Sequence, residues 1–289
     1  MKKAIDISYY QKNVDYKKVK ESGIEMIILR AGFTGYGITK SKNKDKLFEE
    51  HYQGFKSVGI PIGVYWYSCA YTEEEAEEEA LKVLEIVKNK EIELPIFIDV
   101  EDNHDTTKSG LAKQNQYNLS RKELTKVVAK FCEIIEKNGY YVGIYASTYW
   151  LNKKLDMNIL KRYDIWVAHW NVKKPTYNGD YGIWQYTSKG KINGINGYVD
   201  LDYVYKTYPD IIRNKGLNNL SKEMNSISTN DCVEKNIYYK VKKGDNLTKI
   251  AKKYNIDVKT LYHQNKDVIG NDPNKIYPGQ KLIVLYNSL

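Results

Sequence analysis

Cysteine and histidine are scarce in this chain of 289 residues, and that scarcity removes several functions at once. Cys69, Cys132 and Cys232 stand far apart, with neither the pairing of a disulfide framework nor a C-x-x-C metal spacing, so free thiols are expected. The four histidines, His51, His104, His169 and His263, form no H-E-x-x-H or H-x-x-x-H pattern, and no metal is expected. No cofactor is expected either. G-x-G-x-x-G after the first apolar run and G-x-x-x-x-G-K-[ST], the loops that cradle phosphates, are both missing. No apolar run approaches the ~18 residues of a membrane span. The opening "MKKAIDISYYQK" has two lysines but lacks the apolar core and small-residue cleavage site of a signal peptide. The expectation is a chain made in the cytoplasm, with no membrane partner, which lysis, a holin or a non-classical route must release if it works outside.

Charge is present and unevenly spread. The net charge is +9, and residues 237–289 hold ten Lys and four Asp, so +6 of it. The remaining 236 residues carry +3, too little to argue for nucleic acid as the main partner.

The length suits one large domain plus a small one. From residue 3 to about 205, β-rich runs alternate with helical segments. Strands are expected at 3–8, 25–32, 61–68, 94–101, 141–147, 164–170, 181–187 and 197–203. Helices are expected at 46–59, at 72–90 with acids first and lysines last, and at 120–139 with Ser120 as cap. Such alternation argues a parallel sheet, and eight strands with few helices among the last three favour a barrel over an open sheet. Residues 214–236, rich in Asn, Ser and Lys, read as a linker after a domain spanning 1–213. Residues 237–289 read as a β-α-α-β module. In it Asp245 and Asp257 are expected helix caps, and Leu247, Ile250, Ala251 and Tyr254 share one helix face.

The fourth strand, "PIFIDVED", ends a buried run in acid. In a strand Asp99 and Glu101 share one face, their Cα atoms about 6.6–6.8 Å apart, while Val100 and Asp102 face away. Two close carboxylates repel, so one should hold its proton. A protonated acid beside an ionised one suits glycosidic cleavage: one protonates the leaving oxygen, the other answers the positive charge at the sugar carbon. A lone acidic pair after a strand more often just meets solvent. Here Asp6, Arg30, Tyr65, Tyr67 and Asp200 fall on other strands and would converge with it on one barrel rim. Tyr outnumbers Phe 27 to 5, as a sugar cleft favours; Tyr145, Trp166 and Gln185 complete the candidates.

The pieces "AIDISYYQ", "IILRAGF", "FEEHYQGFKSVGIPIGVYWYS", "PIFIDVE", "YVGIYAS", "DIWVAHWN" and "WQYTSKGKINGINGYVDLDYVY" occur in that order. Through them the chain resembles glycoside hydrolase family 25, the lysozyme-like muramidases, over about 1–207. The resemblance implies an irregular eight-stranded barrel with five helices. It also implies cleavage of the β-1,4 bond between N-acetylmuramic acid and N-acetylglucosamine in peptidoglycan. By it Glu101 is the general acid, Asp99 stabilises the charged intermediate, and Asp6 and Asp200 support the cleft. The final motif departs from the family's V-D-x-N, since Asp202 stands in its last place. His169 stands where Gln is commoner, as a cleft variant or a packed residue. Residues 237–289 resemble the LysM family through "YKVKKGDNLTKIAKKY", "LYHQN" and "KIYPGQKLIV". That implies binding of N-acetylglucosamine-containing glycans by Gly244, Asp245, Asn246, Leu247, Ile276 and Tyr277. The combined expectation is a cell-wall hydrolase of endolysin or autolysin type, its partner peptidoglycan.

Two alternatives fit the residues less well. A chitinase with D-x-x-D-x-D-x-E would need acids at Leu94 and Phe97, which are apolar. A non-catalytic wall-binding barrel sits poorly with all four acids being present.

Overall fold

The computed structural model describes residues 1–35, 40–102, 115–220, 237–254, 256–270 and 272–285. They fall into two compact units, Met1–Glu223 and Met224–Leu289.

In the first unit the strands are β1 (Lys2–Ile7), β2 (Met26–Thr34), β3 (Lys42–Lys44), β4 (Ile62–Tyr67), β5 (Ile96–Asp99), β6 (Val142–Ser147), β7 (Asp164–Ala168), β8 (Ile183–Gly190) and β9 (Val199–Val204). Eight of them close a barrel in the order β1-β9-β8-β7-β6-β5-β4-β2, with β1 pairing back onto β2. All eight expected strands are present. Strand pairs are parallel from β1 through β2 and β4 to β8, whereas β9 runs antiparallel to both of its neighbours. β3 is an extra antiparallel piece on β2.

Helices α1 (Tyr16–Glu21), α2 (Phe48–Ser57), α3 (Glu73–Val87), α4 (Arg121–Lys137) and α5 (Met157–Leu160) lie in the crossovers of the parallel strands. α4 forms where Ser120 and Glu123 make a reciprocal capping box, and it buries Leu124, Val127, Val128, Phe131 and Ile135 as one stripe. α3 opens under a Thr72 cap with three glutamates in its first turn. It closes earlier than the expected 72–90: its last turn holds no basic residue, and Lys88 and Lys90 lie beyond it.

Strand alternation divides the core. Ile5 and Ile7 of β1 and Ile96 and Ile98 of β5 face the helical layer. Ala4 of β1, Phe97 of β5 and Val204 of β9 fill the barrel interior. By the same parity Asp6, Asp99, Asp200 and Asp202 belong to the inward rows, near the ends that form one rim. In β9 this works because the strand is reversed: Asp6 and Asp200 are direct partners across the β1–β9 ladder.

The barrel unit runs past residue 213. α6 (Tyr208–Lys215) buries Tyr208 and Ile212, and Leu217 and Leu220 pack on the interior cluster. Asn218 is fully buried and replaces backbone pairing. Its amide donates to the Ile92 and Leu94 carbonyls (both 2.9 Å) and accepts from the Tyr141 N–H (2.6 Å). The expected linker therefore loses its first residues, 214–220, to the barrel. Its remainder, 221–236, and with it Cys232, lie outside the described residues, as does His104.

The second unit pairs β10 (Ile237–Lys240) antiparallel with β11 (Lys281–Leu285) around α7 (Leu247–Tyr254), α8 (Val258–Gln264) and a one-turn α9 (Lys266–Ile269). The expected β-α-α-β order thus gains one turn of helix. Its core is Tyr239, Val241, Leu247, Ile250, Ala251, Leu261, Ile269, Leu282 and Val284. Asp257 caps α8 by accepting from the Thr260 N–H at 3.0 Å. Asp245 does not cap α7. It accepts from the Lys242 N–H and the Tyr239 hydroxyl, closing the preceding turn, and Asn246 accepts from the Lys249 N–H instead.

Candidate active site

The rim carries a cleft with two lobes. The larger, about 500 Å³, is lined by residues including Asp6, Tyr9, Tyr10, Arg30, Phe33 and Tyr67. The smaller, about 210 Å³, adds Tyr145, Trp166, Trp170 and Gln185. Asp6, Tyr65, Asp99, Glu101 and Asp200 border both lobes, so the acids stand at the junction.

The acids reach that junction from different strand ends. β5 ends at Asp99, and Glu101 follows on the extended segment, still on the cleft side, while exposed Asp102 borders neither lobe. Asp99 Oδ1 is buried with no hydrogen-bond partner among the described residues. Asp6 accepts from Gln185 Nε2 at 2.9 Å. Gln185 Oε1 in turn accepts from the Tyr145 hydroxyl (2.9 Å) and the Trp170 indole N–H (3.0 Å). Gln185 is itself almost wholly buried, so it orients Asp6 and two aromatic rings from beneath the surface. Trp166 is 1% exposed and packs edge-on to Tyr145 and Phe97, with its indole N–H held by Asp202 at 2.7 Å. It forms a floor of the small lobe.

Arg30 has a different neighbourhood. A register shift between Arg30 and Gly32 in the β2–β4 ladder marks a bulge, and Trp66 packs where a side chain on Gly32 would stand. Across the bulge, Arg30 before it and Phe33 after it both border the large lobe. Buried Asp45 pairs with the Arg30 guanidinium (2.8–2.9 Å) and also accepts from the Tyr9 N–H at 3.1 Å. The guanidinium lies over the rings of Tyr9 (4.8 Å), Phe33 (5.0 Å) and Tyr10 (5.6 Å).

These surroundings govern titration. Burial, then repulsion from Asp200 and Asp102, raises Glu101 to about 7. Burial raises Asp200 to about 6. Burial and the Glu101 charge push Asp99 well above the carboxylate range, with Arg30 opposing. Asp6 is raised by burial and by Asp200 and Asp202, with Gln185 opposing. Asp202 is raised by burial, with the Trp166 hydrogen bond opposing. The surroundings of the substrate-free rim thus favour the protonated forms of its acids, and Glu101, raised to about 7, stands at the lobe junction.

Several of these residues escaped the sequence reading. Tyr9, Tyr10 and Trp170 meet the cleft from loops, where no periodicity marks the facing side, and Asp45 braces Arg30 from another loop. Asp202 lies under the site and borders neither lobe. His169 is a loop residue whose Nδ1 accepts from the Thr176 N–H at 3.2 Å, and it too borders neither lobe. In the second unit Gly244, Asn246 and Tyr277 are exposed and Asp245 and Ile276 half-buried. Leu247 is buried in the unit's core.

A sequence model of glycosyl hydrolases family 25 matches residues 5–195, and one of the LysM domain matches residues 239–285. The chain is similar to the autolytic lysozyme of Clostridium acetobutylicum, 29% identical over 200 residues, covering 69% of this chain and 55% of that protein. It is also similar to the modular autolysin LytC from Streptococcus pneumoniae, solved with a synthetic peptidoglycan ligand. There the identity is 28% and the TM-score 0.60, covering 71% of this chain and 46% of that one. The CTP1L endolysin superposes with a TM-score of 0.59 at 25% identity, covering 74% of this chain and 70% of the other. The chain spans about half the length of the first two of these relatives. With more than half of its length matched by the family model, the chain belongs to glycosyl hydrolases family 25 and carries a LysM domain at its C-terminal end.

Proposed function

We propose that the chain is a peptidoglycan hydrolase, a 1,4-β-N-acetylmuramidase that cuts between N-acetylmuramic acid and N-acetylglucosamine. Glu101 protonates the leaving oxygen. Asp99 stabilises the positive charge that develops at the sugar carbon, holding the substrate's acetamido N–H so that its carbonyl oxygen acts as internal nucleophile. The observation that carries this reading is Glu101 at the junction of the two lobes, its carboxyl raised to about 7 by burial and neighbouring acids. An acid with that affinity keeps a large protonated fraction near neutrality yet gives the proton up readily. Asp99 complements it through its unpartnered oxygen, since a bound N–H would favour the charged form.

Asp6 and Asp200 set the field around that pair, and Tyr65, Tyr67, Tyr145, Gln185 and Arg30 bind or orient the sugars. The LysM domain holds wall glycan through Gly244, Asp245, Asn246, Ile276 and Tyr277, raising the local substrate concentration without adding catalytic contacts. The place of action is then the bacterial cell wall.

Digestion of purified peptidoglycan, followed by reduction and mass spectrometry, tests the bond. Reduced muramic acid at the new ends is the expected result. Reduced glucosamine at those ends, or no cleavage, overturns the assignment.

A further inference from the structure

Among the carboxyls buried in the barrel unit outside the cleft, one comes from a helix. Glu79, in the middle of α3, is fully buried, although the helix around it is one of the most acidic stretches of the chain. Its Oε1 accepts from the Thr34 hydroxyl (2.7 Å) and from the Cys69 N–H (3.0 Å), and its Oε2 accepts from the Ser68 hydroxyl (2.6 Å). Thr34 is the last residue of β2 and borders the large lobe; its Oγ1 also accepts from the Trp66 indole N–H at 3.2 Å. Ser68 follows β4 directly. Its hydroxyl oxygen accepts from Gln116 Nε2 (3.0 Å) and the Ala70 N–H, and its own N–H donates to the Asp99 carbonyl at 3.1 Å. One side chain from a helix thus ties the ends of β2 and β4 directly, and through Ser68 the end of β5.

We infer that Glu79 is a positioning residue for the proposed glycosidic reaction, latching from behind the barrel the two strand ends that set the large lobe and the height of Asp99. The assignment rests on the muramidase reading for its kinetics, though not for its geometry. The two arms have separate consequences. The Thr34 arm holds a wall of the lobe and so acts on substrate binding. The Ser68 arm holds the strand that delivers Asp99 and Glu101, and so acts on the chemical step, where small misplacements are costly. The latch needs two acceptors, and Gln supplies one. Its oxygen can take over from Oε1 and keep Thr34 and the Cys69 N–H, but its amide meets a Ser68 oxygen already filled by Gln116 and Ala70, so the Ser68 arm is lost.

The test compares Glu79→Leu, Glu79→Gln, Ser68→Ala and Thr34→Val in the full chain on soluble glycan fragments, with hydrogen exchange of the segments around Ser68 and Asp99. Ser68→Ala is expected to lower kcat about tenfold or more with KM little changed, and Thr34→Val chiefly to raise KM. Glu79→Gln should lower kcat as Ser68→Ala does with KM little changed, whereas Glu79→Leu combines both losses. Exchange around Ser68 and Asp99 should quicken in Ser68→Ala and Glu79→Leu whether or not any glycan is cut, which separates this inference from the bond assignment. Should Glu79→Leu fail to fold, the two single-arm variants decide alone. Unchanged kinetics and unchanged exchange in both, or the same kinetic pattern from both, would overturn it.

Discussion

The two units use the same residue type in opposite ways. In the barrel, Asp6, Asp99, Glu101, Asp200 and Asp202 crowd one end of a closed sheet, and burial raises every one of them. In the LysM domain, Asp245 and Asp257 sit in open turns, where backbone N–H groups lower both. Hydrogen bonds to the charged form stabilise a turn, while desolvation of the charged form keeps a proton on an acid. The barrel's acids are arranged at the expense of stability, the tail's in favour of it. On the proposed reading, that contrast separates a unit that does chemistry from one that holds the wall.

Breaking the barrel side of the contrast has the largest expected effect. Glu101→Gln keeps the shape but cannot give a proton, and hydrolysis should fall by about 10²–10⁴. Turbidity loss on walls measures it, with thermal melting as the fold control. Asp99→Asn should be nearly as damaging, and Asp102→Asn far less so, since Asp102 borders neither lobe.

Removing the tail comes next. A chain ending at Glu223 keeps Asn218 and the leucines that pack on the barrel, and it should cut soluble fragments as the full chain does. On whole walls it should bind and lyse about tenfold or more less well, because tethering is what is lost. Pull-down of the tail on walls decides what tethers it. Competition by N-acetylglucosamine oligomers with tolerance of 1 M salt supports a shaped groove. Release by salt alone would leave only the charge of +6 on residues 237–289.

A smaller effect tests the titration itself. Asp202 is raised in the folded state, so the folded chain binds the extra proton, and its stability falls as pH rises above the unfolded value of about 4. Asp202→Asn keeps the acceptor for Trp166 and should raise the barrel's melting temperature at pH 7 with little change at pH 3. The tail responds with the opposite sign. Asp257 is lowered, so its stabilisation is full above about pH 4 and fades as pH falls through its folded value. Asp257→Ala should lower only the tail's transition at neutral pH, by a few degrees at most, and leave hydrolysis of soluble glycan intact.

What could be read from the sequence follows the same division between periodic and aperiodic chain. The eight barrel strands were visible because each is an apolar, β-branched run, and the D-x-E pair because strand parity puts alternate residues on one face. β3 was not, since "KNK" carries no apolar signal. Nor were α1 and α5, of six and four residues, which are too short for a helical period. Residues 214–220 read as linker because Asn218 and Asn219 look like solvent-facing text. Only the fold reveals that Asn218 substitutes for backbone pairing. Glu79 was lost among the glutamates of its own helix. Asp245 and Asn246 exchange roles as cap because adjacent acceptors differ only in how the turn before them closes. Asp45 and Trp170 depend on loop paths that no local pattern encodes.

The protonation of Glu101 is the central claim, and it is directly measurable. Carboxyl ¹³C NMR titration of the labelled protein, with Glu101→Gln assigning the resonance, should place Glu101 at about 7, with hydrolysis of soluble glycan declining as pH rises through the same range. A Glu101 resonance that titrates near the ordinary 4.5, with activity persisting well above pH 7, would contradict the account.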